Sequence, residues 1–389
     1  MVFKKIIITV TAEKNILVLA GEASGDLHGA ALIKAMKAID PSLSFYGIGG
    51  DEMKSEGMQL LYHINKMAFL GFVEVIKHLP FIKKVQTDVL KLVEEKNIQT
   101  CVLIDYPGFN LSIAKKLNVM ERKIIYYISP QIWAWGKHRI HKIKKLVNKM
   151  LVLFPFEETF YKKAGVDATF VGHPLIERIN NYSFVERNEF FSQNNLDVQK
   201  DILLVLPGSR IQEVAKIFPS VIEGAVAVAK KFNLQVVVGC SSNIDEKTFK
   251  KLSREKDYLV IKNKSYELFK YAKLGIIKSG TSTLEAALFG LPMVIVYRTN
   301  ALTYFIGKKL VTLRSIGLAN IIAGETVVPE LIQNAVNTKN ILNECSNFLS
   351  DVSFYKSVSE KLKSLKDVLG NKHASKTAAE IIIASINEV

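Results

Sequence analysis

The chain has 389 residues, more than one ordinary core organises and enough for two domains with a core each. Hydrophobic residues make up 49% and charged residues 23%, which excludes a disordered or low-complexity class, and Cys101, Cys240 and Cys345 stand too far apart for a disulfide framework or a cysteine-based metal site, as fits a reducing cytoplasm. The net charge of +15 favours an anionic partner (nucleic acid, acidic lipid or a phosphorylated substrate) or reflects lysines that only solvate the surface along which they are spread.

Residues 1–10 hold two lysines and an apolar run too short for a signal peptide's hydrophobic region, and no stretch approaches a membrane-spanning length. A strand is expected over 15–20, then the turn Gly21-Glu-Ala-Ser-Gly-Asp26 and a helix over 26–38 with Asp26 as its N-cap. This turn has neither the dinucleotide spacing nor the phosphate-loop spacing of glycines. Strands follow at 44–48, 100–104, 123–128, 150–154 and 168–171, with a helix over 109–118. A polar segment near 174–200 separates these from strands at 202–206, 234–239, 258–261, 274–278 and 293–297, with helices over 211–230 and 281–289. Pro219 is expected to kink or split the first of those helices. From about residue 329 only helices are expected. The strand runs are apolar without strict alternation, as in strands buried on both faces. Their alternation with helices predicts an α/β chain of two doubly wound parallel sheets, with a cleft between the domains and ligands at the carboxyl ends of the strands.

Several of those strand ends carry chemistry. Leu206-Pro-Gly-Ser-Arg210 is a tight turn into a helix, where Gly208, Ser209 and Arg210 suit an anion, although a capped helix with a surface arginine has the same pattern. In Lys278-Ser-Gly-Thr-Ser-Thr-Leu-Glu285, the hydroxyls of Ser279, Thr281 and Ser282 beside Gly280 suit a diphosphate, and Glu285 one turn on suits a ribose. Ordinary N-capping accounts for one hydroxyl but poorly for several in a row. Asp105 ends the strand 100–104, where a carboxylate serves either as a general base or as a turn residue. Glu22 has no local capping role and is a site candidate on the same sheet edge.

Tyr127-Ile-Ser-Pro-Gln-Ile-Trp-Ala-Trp-Gly136 reads equally as a hydrophobic plug and as a sugar or acyl contact. The segment 138–147 is expected as a packed helix with a basic outer face, and His173 as a turn histidine. The stretch 67–84 is unusually apolar, with Phe69, Leu70, Phe72, Val73, Ile76 and Leu79 flanked by lysines. On composition alone a buried core helix is favoured there over an interfacial helix or an acyl groove.

Taken in order, Ala20-Gly-Glu-Ala-Ser-Gly-Asp26, Gly47-Ile-Gly-Gly50, Ile104-Asp-Tyr-Pro-Gly-Phe-Asn110, Ser129-Pro-Gln-Ile-Trp-Ala-Trp135, Phe154-Pro-Phe-Glu157, Gly172-His-Pro174, Leu206-Pro-Gly-Ser-Arg210, Ser279-Gly-Thr-Ser-Thr-Leu-Glu285 and Gly317-Leu-Ala-Asn320 resemble the lipid-A-disaccharide synthase family. The resemblance implies a GT-B fold of two Rossmann-like domains. An acceptor and membrane-facing domain would span 1–176, a UDP-sugar donor domain 177–365, and the helix about 366–389 would pack back on the first. It implies inverting, metal-independent glycosyl transfer without a cofactor, from UDP-2,3-diacylglucosamine to 2,3-diacylglucosamine 1-phosphate, giving the β-1,6-linked disaccharide 1-phosphate and UDP.

On that resemblance Asp105 is the base and Glu22 orients the acceptor or supports the base. The turn 21–26 is a glycine-rich rim that lets a sugar phosphate approach the backbone. Gly208, Ser209 and Arg210 hold the diphosphate, Ser279, Gly280, Thr281, Ser282 and Glu285 bind the nucleotide, and Asn320 contacts the donor. The residues Phe69, Leu70, Phe72, Val73, Ile76 and Leu79 become the acceptor and membrane contact, which reverses the lean toward core. The protein is then expected in the cytoplasm, peripheral on the inner face of the inner membrane against anionic lipid, with no nucleic-acid partner; a homodimer is compatible with this. Many relatives carry a second acidic residue where this chain has Gly108. The rival readings are another GT-B enzyme such as a UDP-N-acetylglucosamine 2-epimerase, which needs no acyl groove, and a basic nucleic-acid binder, which would cluster bases with aromatics.

Overall fold

The computed structural model describes residues 14–67, 78–134, 136, 139–300, 304 and 315–387. The chain divides into two compact units, one of Met1–Pro174 with Lys372–Val389 and one of Leu175–Asn371. Among the described residues no helix is long and apolar enough to cross a membrane.

The first unit holds seven parallel strands: β1 (Asn15–Ala20), β2 (Ser44–Gly49), β3 (Gln59–His63), β4 (Thr100–Ile104), β5 (Lys123–Tyr127), β6 (Lys149–Val152) and β7 (Ala168–Phe170), in the order β3-β2-β1-β4-β5-β6-β7. The second holds six: β8 (Ile202–Leu206), β9 (Gln235–Cys240), β10 (Leu259–Lys262), β11 (Ala272–Lys278), β12 (Met293–Tyr297) and β13 (Glu330–Ile332), in the order β10-β9-β8-β11-β12-β13. Each order reverses direction once, between β1 and β4 and between β8 and β11, and those reversals leave a crevice at the carboxyl edge of the sheet.

Central strands are buried along nearly their whole length because helices cover both faces. Leu17, Leu19, Leu103, Tyr126 and Met150 belong to one cluster under the helices Leu79–Glu95 and Pro107–Val119. Each such side chain, taken from water, contributes about 1.5–3 kcal/mol.

Three expectations are corrected. Pro219 does not split its helix, which is continuous over Ile211–Phe232. Val214, Ile217, Phe218, Val221, Ile222 and Ala225 are buried along it, and that packing offsets the roughly 3 kcal/mol that an interior proline costs. The region after 329 is not helical throughout: Glu330–Ile332 pairs with β12 as the edge strand, too short to show a periodicity. The C-terminal helix over 366–389 is two pieces. Gly370, at φ +66°, ends the helix Val352–Leu369, and the helix Ala374–Asn387 packs on the helix Ala23–Ile39. Lys123 donates to the Ser385 carbonyl there, and Lys372 Nζ donates to the Phe170 carbonyl at 3.1 Å.

Candidate active site

In the first unit Ala20 pairs with Ile104, so Gly21-Glu22 and Asp105-Tyr106 leave the sheet side by side where the strand order reverses. Asp105 and Tyr106 both have left-handed backbones, at φ +44° and +46°. Such a conformation costs a non-glycine residue about 1–3 kcal/mol, so the surroundings must impose it. They do so from both sides. The Asp105 N–H donates to the Tyr127 carbonyl at 3.1 Å, and the Asp105 carbonyl accepts from the Tyr126 hydroxyl and from Asn110 Nδ2 at 2.8 Å. The Tyr106 hydroxyl donates to the Met67 carbonyl at 3.0 Å. Ile128, after the neighbouring β5, is left-handed too, at φ +65°.

Burial pushes the Asp105 carboxyl up to about 6; the Glu22 carboxylate adds to the rise, and the Tyr106 N–H opposes it. Glu22 is the N-cap residue of Ala23–Ile39, is exposed, and makes no side-chain capping bond. Asp105 is therefore ionised at neutral pH yet more basic than an ordinary carboxylate, which suits a group that accepts a proton during reaction.

Gly21 has a packing reason of its own: a Cβ there would lie 2.2–2.6 Å from Tyr106 ring atoms, so the glycine makes room for that ring. One expectation about the turn fails. Asp26 does not cap its own helix. It is 4% exposed inside the helix and accepts from the N–H groups of Gly50 (2.6 Å), Glu52 (3.1 Å) and Met53 (3.1 Å), which start the helix Asp51–Ser55. Gly108 is exposed, and a Cβ there would meet nothing within 4 Å. The backbone there thus leaves room for a Cβ.

The tryptophan segment is tied to Glu157, the carboxylate that closes the motif Phe154-Pro-Phe-Glu157. Ser129 Oγ and Trp133 Nε1 both donate to Glu157 Oε1 at 2.8 Å, and the Phe154 N–H donates to its Oε2 at 3.2 Å. Burial lifts the Glu157 carboxyl to about 7 against the pull of those donors. Trp133 packs edge-on against Phe156, so it is a plug with a fixed N–H rather than an open face. His173 is buried against Phe154, and burial with the nearby His28 brings it down to about 3, which keeps it neutral. Trp135 lies outside the described residues, as do Phe69, Leu70, Phe72, Val73 and Ile76; Leu79 begins the helix Leu79–Glu95 and is exposed.

In the second unit Leu206 pairs with Ile277, so the turns after β8 and β11 are neighbours. Ser209 and Arg210 are exposed, and Arg210, not Ser209, is the N-cap residue of Ile211–Phe232; no side chain caps that helix. Gly208 has φ +130°, and a Cβ on it would come within 2.8 Å of Glu213 Oε2. Glu213 Oε1 accepts from Lys278 Nζ at 2.9 Å. Neither Glu213 nor Lys278 was singled out from the sequence, although Lys278 directly precedes the hydroxyl run.

Within that run Ser279 Oγ donates to the Ile316 carbonyl at 2.8 Å, and Thr283 Oγ1 to the Gly280 carbonyl at 2.8 Å. Gly280 is the N-cap residue of Thr281–Leu288, and Thr281 and Ser282 occupy the first turn with no side-chain cap. Burial raises the Glu285 carboxyl while Arg178 opposes the rise. Asn320 is corrected. It is 1% exposed, its Oδ1 accepts from the N–H groups of Val327 (2.9 Å) and Val328 (3.0 Å), and its Nδ2 donates to the Val328 carbonyl (2.9 Å) and Glu330 Oε1 (2.8 Å). Its amide is spent on folding that loop and has nothing left for a donor.

Two Rossmann-like parallel sheets, each with polar side chains gathered at its reversal point, define a GT-B protein, the fold of many glycosyltransferases and sugar-nucleotide epimerases. The chain superposes with a TM-score of 0.64 on the UDP-GlcNAc 2-epimerase of Neisseria meningitidis bound to UDP-GlcNAc, at 12% identity over 96% of this chain and 100% of that one. The glycosyltransferase of kitacinnamycin gives the same score of 0.64, at 14% identity over 95% and 98%. A family model described as lipid-A-disaccharide synthetase matches residues 16–384. A lipid-A-disaccharide synthase of Geobacter metallireducens is 37% identical over 378 residues, 96% of this chain and 98% of the relative. The chain belongs to the lipid-A-disaccharide synthase family and is a glycosyltransferase.

Proposed function

We propose that the chain transfers 2,3-diacylglucosamine from UDP-2,3-diacylglucosamine to 2,3-diacylglucosamine 1-phosphate with inversion at the anomeric carbon. Asp105 takes the proton from the acceptor 6-hydroxyl as that oxygen attacks the anomeric carbon. The bond from that carbon to the UDP oxygen breaks, and UDP leaves with the electron pair. Glu22 keeps Asp105 basic and orients the acceptor. The turn of Gly208, Ser209 and Arg210 supports the charge that develops on the leaving diphosphate, and Ser279, Gly280, Thr281, Ser282 and Glu285 take the nucleotide. The acceptor's acyl chains and the surface of an anionic bilayer meet the apolar stretch around 67–84, beside a strongly basic protein.

The observation that carries this reading is Asp105 at the reversal of the first sheet, held by a left-handed backbone and raised to about 6. The test is UDP release from UDP-2,3-diacylglucosamine, with and without acceptor, by wild type and Asp105→Ala. Acceptor-dependent release that is lost in the variant, while UDP still binds, supports the assignment. Release that survives in the variant moves the base elsewhere, with Glu22 next in line.

A further inference from the structure

The second sheet's reversal point holds a pair of charges that the donor reading has not used. Glu213 sits in the first turn of Ile211–Phe232 and folds back over Gly208; Lys278 is the last residue of β11. They meet at 2.9 Å, partly buried, where the turn assigned to the diphosphate adjoins the turn assigned to the nucleotide. The same Lys278 Nζ lies 3.8 Å from where a Cβ on Gly280 would be, so it reaches the second turn as well. The site as it stands thus already contains an anion: the Glu213 carboxylate, resting against Gly208 and neutralised by Lys278. A diphosphate brought to these turns repels that carboxylate and competes with it for the ammonium.

Resting on the donor reading above, we propose that Lys278 is a further ligand of the donor's diphosphate, and that Glu213 is its placeholder, holding the ammonium between the turns until phosphate displaces it. The arrangement keeps a strongly hydrated cation in place without leaving it unpaired in a partly buried site. It also supplies, at the leaving group, a mobile positive charge that Arg210 on the exposed rim complements.

The experiment is calorimetric titration of the full-length protein with UDP and, as a control lacking phosphate, uridine. Lys278→Met is expected to weaken UDP binding by about 10–100-fold and leave uridine binding unchanged. Lys278→Arg keeps the charge and is expected to stay within a few-fold of wild type. Glu213→Gln removes the competing charge at constant shape and is expected to tighten UDP by about threefold or more. Thermal melts of each variant establish that it is folded. A folded Lys278→Met that binds UDP as wild type does, or that loses UDP and uridine alike, overturns the proposal; so does a Glu213→Gln as weak as Lys278→Met, which would make the pair purely structural. If wild type itself binds no UDP, the donor reading falls and this inference with it.

Discussion

Asp105→Asn should make the protein more stable while it abolishes transfer. The Asp105 carboxyl stands at about 6 in the folded chain against 3.8 for the free group, chiefly through burial. Below 3.8 the folded and unfolded chains both hold the proton. Between 3.8 and 6 the folded chain keeps a proton that the unfolded chain has lost, so stability falls as pH rises through that window. Above 6 both are ionised, and the folded state bears the full cost of an under-solvated charge. A displacement of about two pH units corresponds to about 3 kcal/mol, and the residue's partial exposure trims that to about 2–3 kcal/mol. Asparagine has nearly the same shape and carries no charge. At roughly 2–4 °C per kcal/mol for a unit of this size, the variant should melt about 5–10 °C higher at pH 7.5 and within a degree or two of wild type at pH 4. Circular-dichroism melts at the two pH values measure the difference. A variant that is less stable at pH 7.5, or shifted equally at both, refutes the account of Asp105 as a charge held against its solvation.

Further outcomes follow from the same geometry. The kcat/KM profile should fall below about pH 6 as Asp105 takes up its proton, and Glu22→Gln should carry that limb downward by on the order of one pH unit or less, since burial is the larger cause; an unmoved limb refutes the coupling. Gly21→Ala puts a methyl 2.2 Å from a Tyr106 ring carbon, so the ring and the Asp105 peptide must shift; transfer should collapse and stability drop by about 1–3 kcal/mol while UDP still binds, and wild-type turnover would sink the argument. Asn320→Ala strands the N–H groups of Val327 and Val328 and should cost about 2–4 kcal/mol in urea unfolding, with UDP affinity of the folded protein intact; a lost affinity in a stable variant would restore Asn320 to the donor site. Glu157→Gln should be milder than Glu157→Ala in thermal melts, because its carbonyl still accepts from Ser129 and Trp133 whereas alanine leaves three donors unpaired; equal losses would refute the network.

The strands most legible in the sequence were those buried on both faces, such as Leu17 and Leu19 in β1 or Val205 in β8, because an apolar run bounded by turn residues is what such burial requires. The edge strands β3 and β13 escaped. Gln59–His63 is only half buried, and Glu330–Ile332 is three residues long, so neither develops a pattern. Asp105 and Glu22 were legible as candidates because strand ends in doubly wound sheets collect at one edge, and local sequence marks the strand ends. Asp26 and Asn320 were misread for a common reason. Their partners, Gly50 to Met53 and Val327 to Glu330, belong to other segments, and which segment a polar side chain serves is decided by packing. Glu213 and Lys278 lie 65 positions apart, and only the pairing of β8 with β11 brings them together.

The two aspartates near the first unit's reversal differ in how their charges are met. Asp26 stands in the first turn of Ala23–Ile39 and Asp105 on the connection that follows β4, and both are largely withdrawn from water. Asp26 collects three backbone N–H donors, and each oxygen is engaged. Those bonds fix the approach of Asp51–Ser55 to Ala23–Ile39. Among the described residues Asp105 is relieved only by the N–H of its own successor, and it is opposed by Glu22. A buried carboxylate with too few donors is a poor stabiliser and a good base, because what destabilises its charge is what makes it take a proton. The strained backbone of Asp105 and Tyr106 fits the same account, since a residue selected for stability alone would carry neither the left-handed conformation nor the unrelieved charge.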